Sequence, residues 1–118
     1  MDKKSFGAAG EAKAKEYLIN KGYKIIQANY LKRTGEIDII AFDPKFNEYV
    51  FVEVKTRSNK SFGYPEEAVD DEKLSKISET AENWLTDNNI DHSEWRIDII
   101  SIEWGNDDPD ITHLENIT

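Results

Sequence analysis

The sequence has no cysteine, which excludes disulfides and thiolate metal sites and makes a reducing cytoplasm the simplest home. It has no apolar run long enough to cross a bilayer, and its opening MDKKSFGAAG lacks the apolar core of a secretory signal. No Ser-His-Asp set, glycine-rich phosphate loop or helix-borne histidine pair is present, so those chemistries have no anchor here. The two histidines, His92 and His113, lack a partner at metal-ligand spacing and read as incidental. Basic residues are scarce in the second half: residues 61–118 hold 3 Lys/Arg against 16 Asp/Glu, whereas residues 1–60 hold 12 against 8. A net charge of −9 opposes avid, indiscriminate binding to nucleic acid. The asymmetry still lets the first half face phosphates while the second faces solvent.

What is present fits one globular domain over residues 1–118, with 38% hydrophobic and 33% charged residues. Gly7, Glu11, Ala14 and Leu18 share one face of a helix from residue 3 to about 21, stopped by Gly22. Strands are expected over 23–31, 36–42, 49–56 and 95–103, with a short last one near 111–114. A second helix starts near Glu66 or Asp70 and ends at Asp87, with Leu74, Ile77, Ala81, Trp84 and Leu85 on its apolar face. The order is α-β-β-β-α-β, a small mixed α/β sheet flanked by helices.

Pro44 to Asn47 form a four-residue turn, which sets Asp43 opposite Glu48 and, counting back, Phe42 opposite Tyr49 and Ile40 opposite Phe51. The same register places Asp38 opposite Glu53 and Glu36 opposite Lys55, with Ile37, Ile39 and Ala41 on the other face. Like charges across a ladder are destabilising, so this pair calls for a cation or a raised pKa. Lys55 is one candidate for that cation, and Mg²⁺ (or Mn²⁺), which suits such hard oxygen donors, is the better one. Glu11 brings a third carboxylate, on a helix that the small residues Gly7, Gly10 and Ala14 let approach the sheet. Each feature has a plainer explanation: a solvated Glu-x-Lys strand, an exposed strand end, or a Glu11 turned outward.

At these residues the sequence resembles the YraN-type family of bacterial proteins. The matching stretches are GAAGEAKAKEYL, ANYLKRTGEIDIIAF, VFVEVKTRSNKSFGYPEEAV, the helix carrying Lys73, and the late RIDIISI and ITHLENI. The family is regarded as one of endonucleases distantly similar to archaeal Holliday junction resolvases, within the PD-(D/E)XK superfamily. That resemblance implies a restriction-endonuclease-like core, with Asp38 and Glu53 as metal-binding carboxylates. It also implies Lys55 as catalytic lysine and Glu11 as the helix-borne acid, although Ile37 stands where the superfamily usually has proline before the aspartate. The implied activity is metal-dependent hydrolysis of branched or structured DNA, with a homodimer expected because symmetric junctions need two active sites.

Lys32, Arg33, Arg57, Lys60 and Lys73 flank these residues and either hold phosphates or form solvated surface. Glu36 is either a further ligand or is satisfied by Lys55 or solvent. Phe62 and Tyr64 either stack on unpaired bases or anchor their loop. Asp98 is expected to bond within the sheet or to pair with a nearby cation such as Arg96, a site role being the third option, and Trp84, Trp95 and Trp104 to pack in the core or at its edge. Two other function classes stay open: a catalytically silent nuclease-fold module binding nucleic acid or a repair partner, and an interaction domain using its acidic second helix.

Overall fold

A computed structural model describes residues 3–58, 69–90, 94–105 and 108–117. The elements are α1 (Lys3–Asn20), β1 (Lys24–Lys32), β2 (Gly35–Asp43), β3 (Glu48–Arg57), α2 (Asp71–Asp87), β4 (Trp95–Glu103) and β5 (Asp110–Leu114). The strands form a single sheet in chain order. Among the described strands only β3 and β4 pair in parallel; the chain crosses between them through α2, as a parallel pair requires. The expected α-β-β-β-α-β core is therefore present, with β5 added at one edge. No helix among the described residues is long and apolar enough to cross a membrane.

The helix ends follow from local chemistry. Gly22, at φ 99°, closes α1: its N–H donates to Ile19 O at 3.0 Å, and the Tyr23 N–H donates to Leu18 O at 2.9 Å. This glycine-closed arrangement satisfies two carbonyls that a frayed helix would leave open. At the start of α2, Asp70 accepts from the Lys73 N–H at 2.8 Å, and Asp71 and Glu72 complement the helix dipole. Of the two starts weighed for this helix, the structure adopts the one at Asp70.

Each helix covers one face of the sheet. Ala14 and Leu18 of α1 pack with Ile39, Ala41, Val50, Val52, Ile100 and Ile102. On the other face, Ile77, Ala81, Trp84 and Leu85 of α2 pack with Tyr30, Ile37, Ile40, Phe51 and Ile97. Each of the leucine, isoleucine, valine and phenylalanine side chains among them, fully buried, contributes about 1.5–3 kcal/mol relative to exposure. Trp95 and Trp104 pack at the margins of these two cores.

The β2–β3 hairpin has the register expected from its loop: Asp43–Glu48, Phe42–Tyr49 and Ile40–Phe51 are partners. Asp43 Oδ1 accepts the Lys45 N–H at 3.0 Å, and Asn47 takes the left-handed φ of 56° that lets the turn close. Two expectations need correction. Regular pairing ends at Ile39–Val52, so Asp38–Glu53 and Glu36–Lys55 are not ladder partners. Instead the Val54 N–H donates to Asp38 Oδ2 at 2.8 Å. Ile37 also lies on the face opposite to Ile39, with Ile40, so the alternation slips beside Asp38. The slip coincides with Asn29 of β1, which interrupts the pairing between Ala28–Ile39 and Tyr30–Ile37 and has φ 53°. Asparagine tolerates that conformation better than most residues.

Candidate active site

Where β2 and β3 part, α1 closes over the gap and leaves an open groove of about 780 Å³. Glu11 of α1, Asn29 of β1, Glu36 and Asp38 of β2 and Lys55 of β3 line it. The helix reaches this position because Gly10 is buried directly against Thr56; any Cβ at residue 10 would overlap the Thr56 side chain. Gly7 plays no such part: it is exposed, with open space where a Cβ would stand.

Each carboxylate here has a distinct set of partners. Glu11 Oε1 accepts from Asn29 Nδ2 at 2.9 Å and lies 3.7 Å from Lys15 Nζ. Asp38 is held by the Val54 amide. Glu53, with 9% of its side chain exposed, takes Lys73 Nζ at 2.7 Å and Lys55 Nζ at 3.6 Å on the same oxygen. Glu36 lies exposed at the rim.

The electrostatics follow from this placement. Burial, then the negative charges of Glu53, Glu11 and Glu36, push Asp38 up to about 7, against the pull of the Val54 N–H. Burial and the neighbouring Lys73 ammonium lower Lys55, outweighing the attraction of Glu53. Lys73 goes up: burial acts downward, but its bond to Glu53 and the charges of Glu53 and Asp38 prevail. The donor set is all carboxylate oxygen and is short of positive charge at Asp38, which fits a hard divalent cation. Glu11, Asp38 and Glu53 would hold it only by drawing their oxygens closer, since among the described residues three ligand atoms lie within 4.8 Å of one another only at Asp98, His113 and Glu115.

Among the flanking cations, Lys73 is at the site and Lys32 is turned elsewhere. Lys32 Nζ lies 3.3 Å from Asp87 and 5.5 Å from the centre of the Tyr30 ring. Arg33 is exposed in the β1–β2 turn, and Arg57 is half-buried at the end of β3 opposite Glu103. Lys60, Phe62, Tyr64 and His92 lie outside the described residues.

A second polar cluster sits at the other end of α1. Arg96 is 5% exposed and donates to Asp43 at 3.1 Å, Glu48 at 3.0 Å and Asp98 at 3.0 Å, while its Nη2 donates to the Tyr23 hydroxyl at 2.6 Å. His113 Nε2 donates to Asp98 Oδ2 at 2.7 Å, and the Asn116 N–H donates to Asp98 Oδ1 at 2.8 Å. Burial would raise Asp98, but His113, the Asn116 amide and Arg96 together lower it. With that carboxylate ionised, Nε2 carries the proton and Nδ1 faces Tyr17 and Lys21, each at 3.2 Å.

The Arg96–Asp98 pair is the one expected; His113, read as incidental, is not. Ligand atoms of Asp98, His113 and Glu115 lie within 4.8 Å of one another, so these three could hold a metal ion. Arg96 and Lys21 already bring positive charge to the same atoms. His113 is 96 residues from Tyr17 and 15 from Asp98, separations that no local pattern reveals.

Comparison with known proteins gives a consistent family but no stated activity. A family model described as "Uncharacterised protein family UPF0102" matches residues 10–102. The UPF0102 protein of Alkaliphilus oremlandii is 45% identical over 116 residues, covering 96% of this chain and 97% of its own. That of Persephonella marina is 44% identical over 110 residues, covering 93% and 90%, and that of Carboxydothermus hydrogenoformans 38% over 117, covering 99% and 98%. The matches run through both helices and the first four strands, the groove residues included, and the chain belongs to the uncharacterised protein family UPF0102.

Proposed function

We propose that the groove is the active site of a metal-dependent endonuclease that hydrolyses phosphodiester bonds in branched or structured DNA. The observation that carries this reading is Asp38: a half-buried carboxylate pushed up to about 7 by burial and by the charges of Glu53, Glu11 and Glu36, in a groove that Lys55 also lines. A fold gains nothing from such a concentration of like charge, so a ligand that relieves it is the economical explanation. A bound Mg²⁺ or Mn²⁺ supplies an acidified water and offsets charge on the phosphate.

The chain's own residues do the rest. Asp38 and Glu53 define the ligand positions, and Asn29 holds Glu11 toward the groove. Lys55 has a lowered pKa and lines the groove, and its role in this reading is to donate to charge that develops on a scissile phosphate. The net charge of −9 favours a narrow, shape-selected substrate over indiscriminate duplex binding. The test is nicking of four-way and flapped DNA in Mg²⁺ or Mn²⁺ by wild type, Asp38→Asn and Lys55→Ala. Metal-dependent activity in the wild type alone supports the assignment; equal activity in all three removes it.

One observation favours the silent module as the second reading. Glu53, the most enclosed of the four carboxylates, is already met by two ammonium groups of the protein itself. A protein of that kind would bind junction DNA without cutting it and show no heat on titration with Mg²⁺ or Mn²⁺.

A further inference from the structure

Two lysines meet one carboxylate at Glu53, and they arrive from different elements. Lys55 is two residues further along β3, at 3.6 Å. Lys73 is in the first turn of α2, and its Nζ is 2.7 Å from the same Glu53 oxygen. Its backbone is fixed there by the bond from its own N–H to Asp70. The capped turn thus delivers an ammonium to Glu53 from a rigid anchor. Asp38, whose pKa registers the Glu53 charge, is met instead by a backbone amide.

We infer that Lys73 is a tethered cation that competes with a divalent ion for Glu53, so that loading of the groove requires its ammonium to swing off the carboxylate. This rests on the metal-site reading above and adds to it the device that regulates loading. A charge-assisted bond to a shielded carboxylate is among the stronger polar interactions, so an incoming ion must displace it. Release is sterically open: the Lys73 side chain is 38% exposed, and its flexible four-carbon stem can turn to solvent.

The experiment is calorimetric titration of the full chain with Mn²⁺, comparing wild type, Lys73→Met, Lys73→Arg and Lys76→Met, each confirmed folded by circular dichroism. Lys76 pairs with Glu72 at 3.4 Å on the exposed side of α2, so its variant removes the same formal charge without touching Glu53. Lys73→Met is expected to bind Mn²⁺ about tenfold or more tightly than wild type. Lys73→Arg should stay within about threefold and Lys76→Met should be unchanged, since the competing charge persists in both. Equal affinity in wild type and Lys73→Met overturns the competition while leaving the metal site standing. So does an equal gain in Lys76→Met, because net charge would then suffice. Absence of Mn²⁺ binding in every variant overturns the metal reading, and the inference with it.

Discussion

Asn29 Nδ2 donates to Glu11 Oε1 across 2.9 Å, from a strand residue in the left-handed conformation to a carboxylate on the helix above it. The same residue marks where the pleat of β1 and β2 slips, so one asparagine both orients Glu11 and sits at the break that presents Asp38 to the groove. Asn29→Val forces a β-branched side chain into that backbone and is expected to cost about 1–3 kcal/mol. Asn29→Gly keeps the conformation, loses only the amide, and should stay within about 1 kcal/mol of wild type. Urea unfolding of the two variants checks this; equal losses would show that backbone conformation is not what the asparagine supplies.

How much of this was legible in the sequence depends on the reach of each signal. The hairpin register came out of a four-residue loop and two apolar pairs, all within about a dozen residues. It holds from Asp43–Glu48 to Ile39–Val52. Beyond that the extrapolation failed, because period-two counting assumes an unbroken pleat. The hint was an asparagine in mid-strand in the neighbouring segment, which a reading of EIDIIAF alone does not include. The close approach of α1 that brings Glu11 to the groove was expected from Gly7, Gly10 and Ala14, yet what permits it is Gly10 packed on Thr56, with open space beside Gly7. Lys73 was legible as a helix-face residue near the site but not as a partner of Glu53, since the approach of α2 to β3 is set by tertiary packing. Arg96 and Asp98 were visible as same-face neighbours on one strand. Their partners Asp43, Glu48 and His113 come from three other segments.

That buried cluster supports a second prediction. Removing Arg96 leaves Asp43 and Asp98, both buried, without their shared guanidinium. Arg96→Met is therefore expected to destabilise by about 3–5 kcal/mol at pH 7. Asp98 is held below the ordinary carboxylate range, so the stability it contributes is present above its unfolded pKa and is lost as pH falls through its folded one. The difference between wild type and Arg96→Met should accordingly be largest near neutrality and shrink toward pH 3. Urea midpoints at the two pH values decide it: an undiminished difference at pH 3 would mean that packing by the arginine stem, not its charge, is what matters.

Asp38 carries the opposite sign. Its pKa is pushed up to about 7 from the ordinary aspartate value of 3.8, so between those values the folded chain binds a proton that the unfolded chain has released. Stability contributed by this residue is therefore greatest below about pH 4, declines as pH rises toward 7, and levels off above. Asp38→Asn abolishes the titration while keeping an oxygen for the Val54 N–H, and should stabilise the protein at pH 8 by about 1–4 kcal/mol while changing little at pH 4. A divalent cation bound to the ionised carboxylate offsets the same penalty. Millimolar Mn²⁺ at pH 8 should therefore raise the melting temperature of wild type more than that of Asp38→Asn. Thermal scans at pH 4 and pH 8, with and without Mn²⁺, measure both effects together. A variant stabilised equally at both pH values would show that Asp38 is not strained by its charge. An Mn²⁺ shift of equal size in both proteins would place the ion elsewhere, with the Asp98, His113 and Glu115 cluster as the alternative site to test.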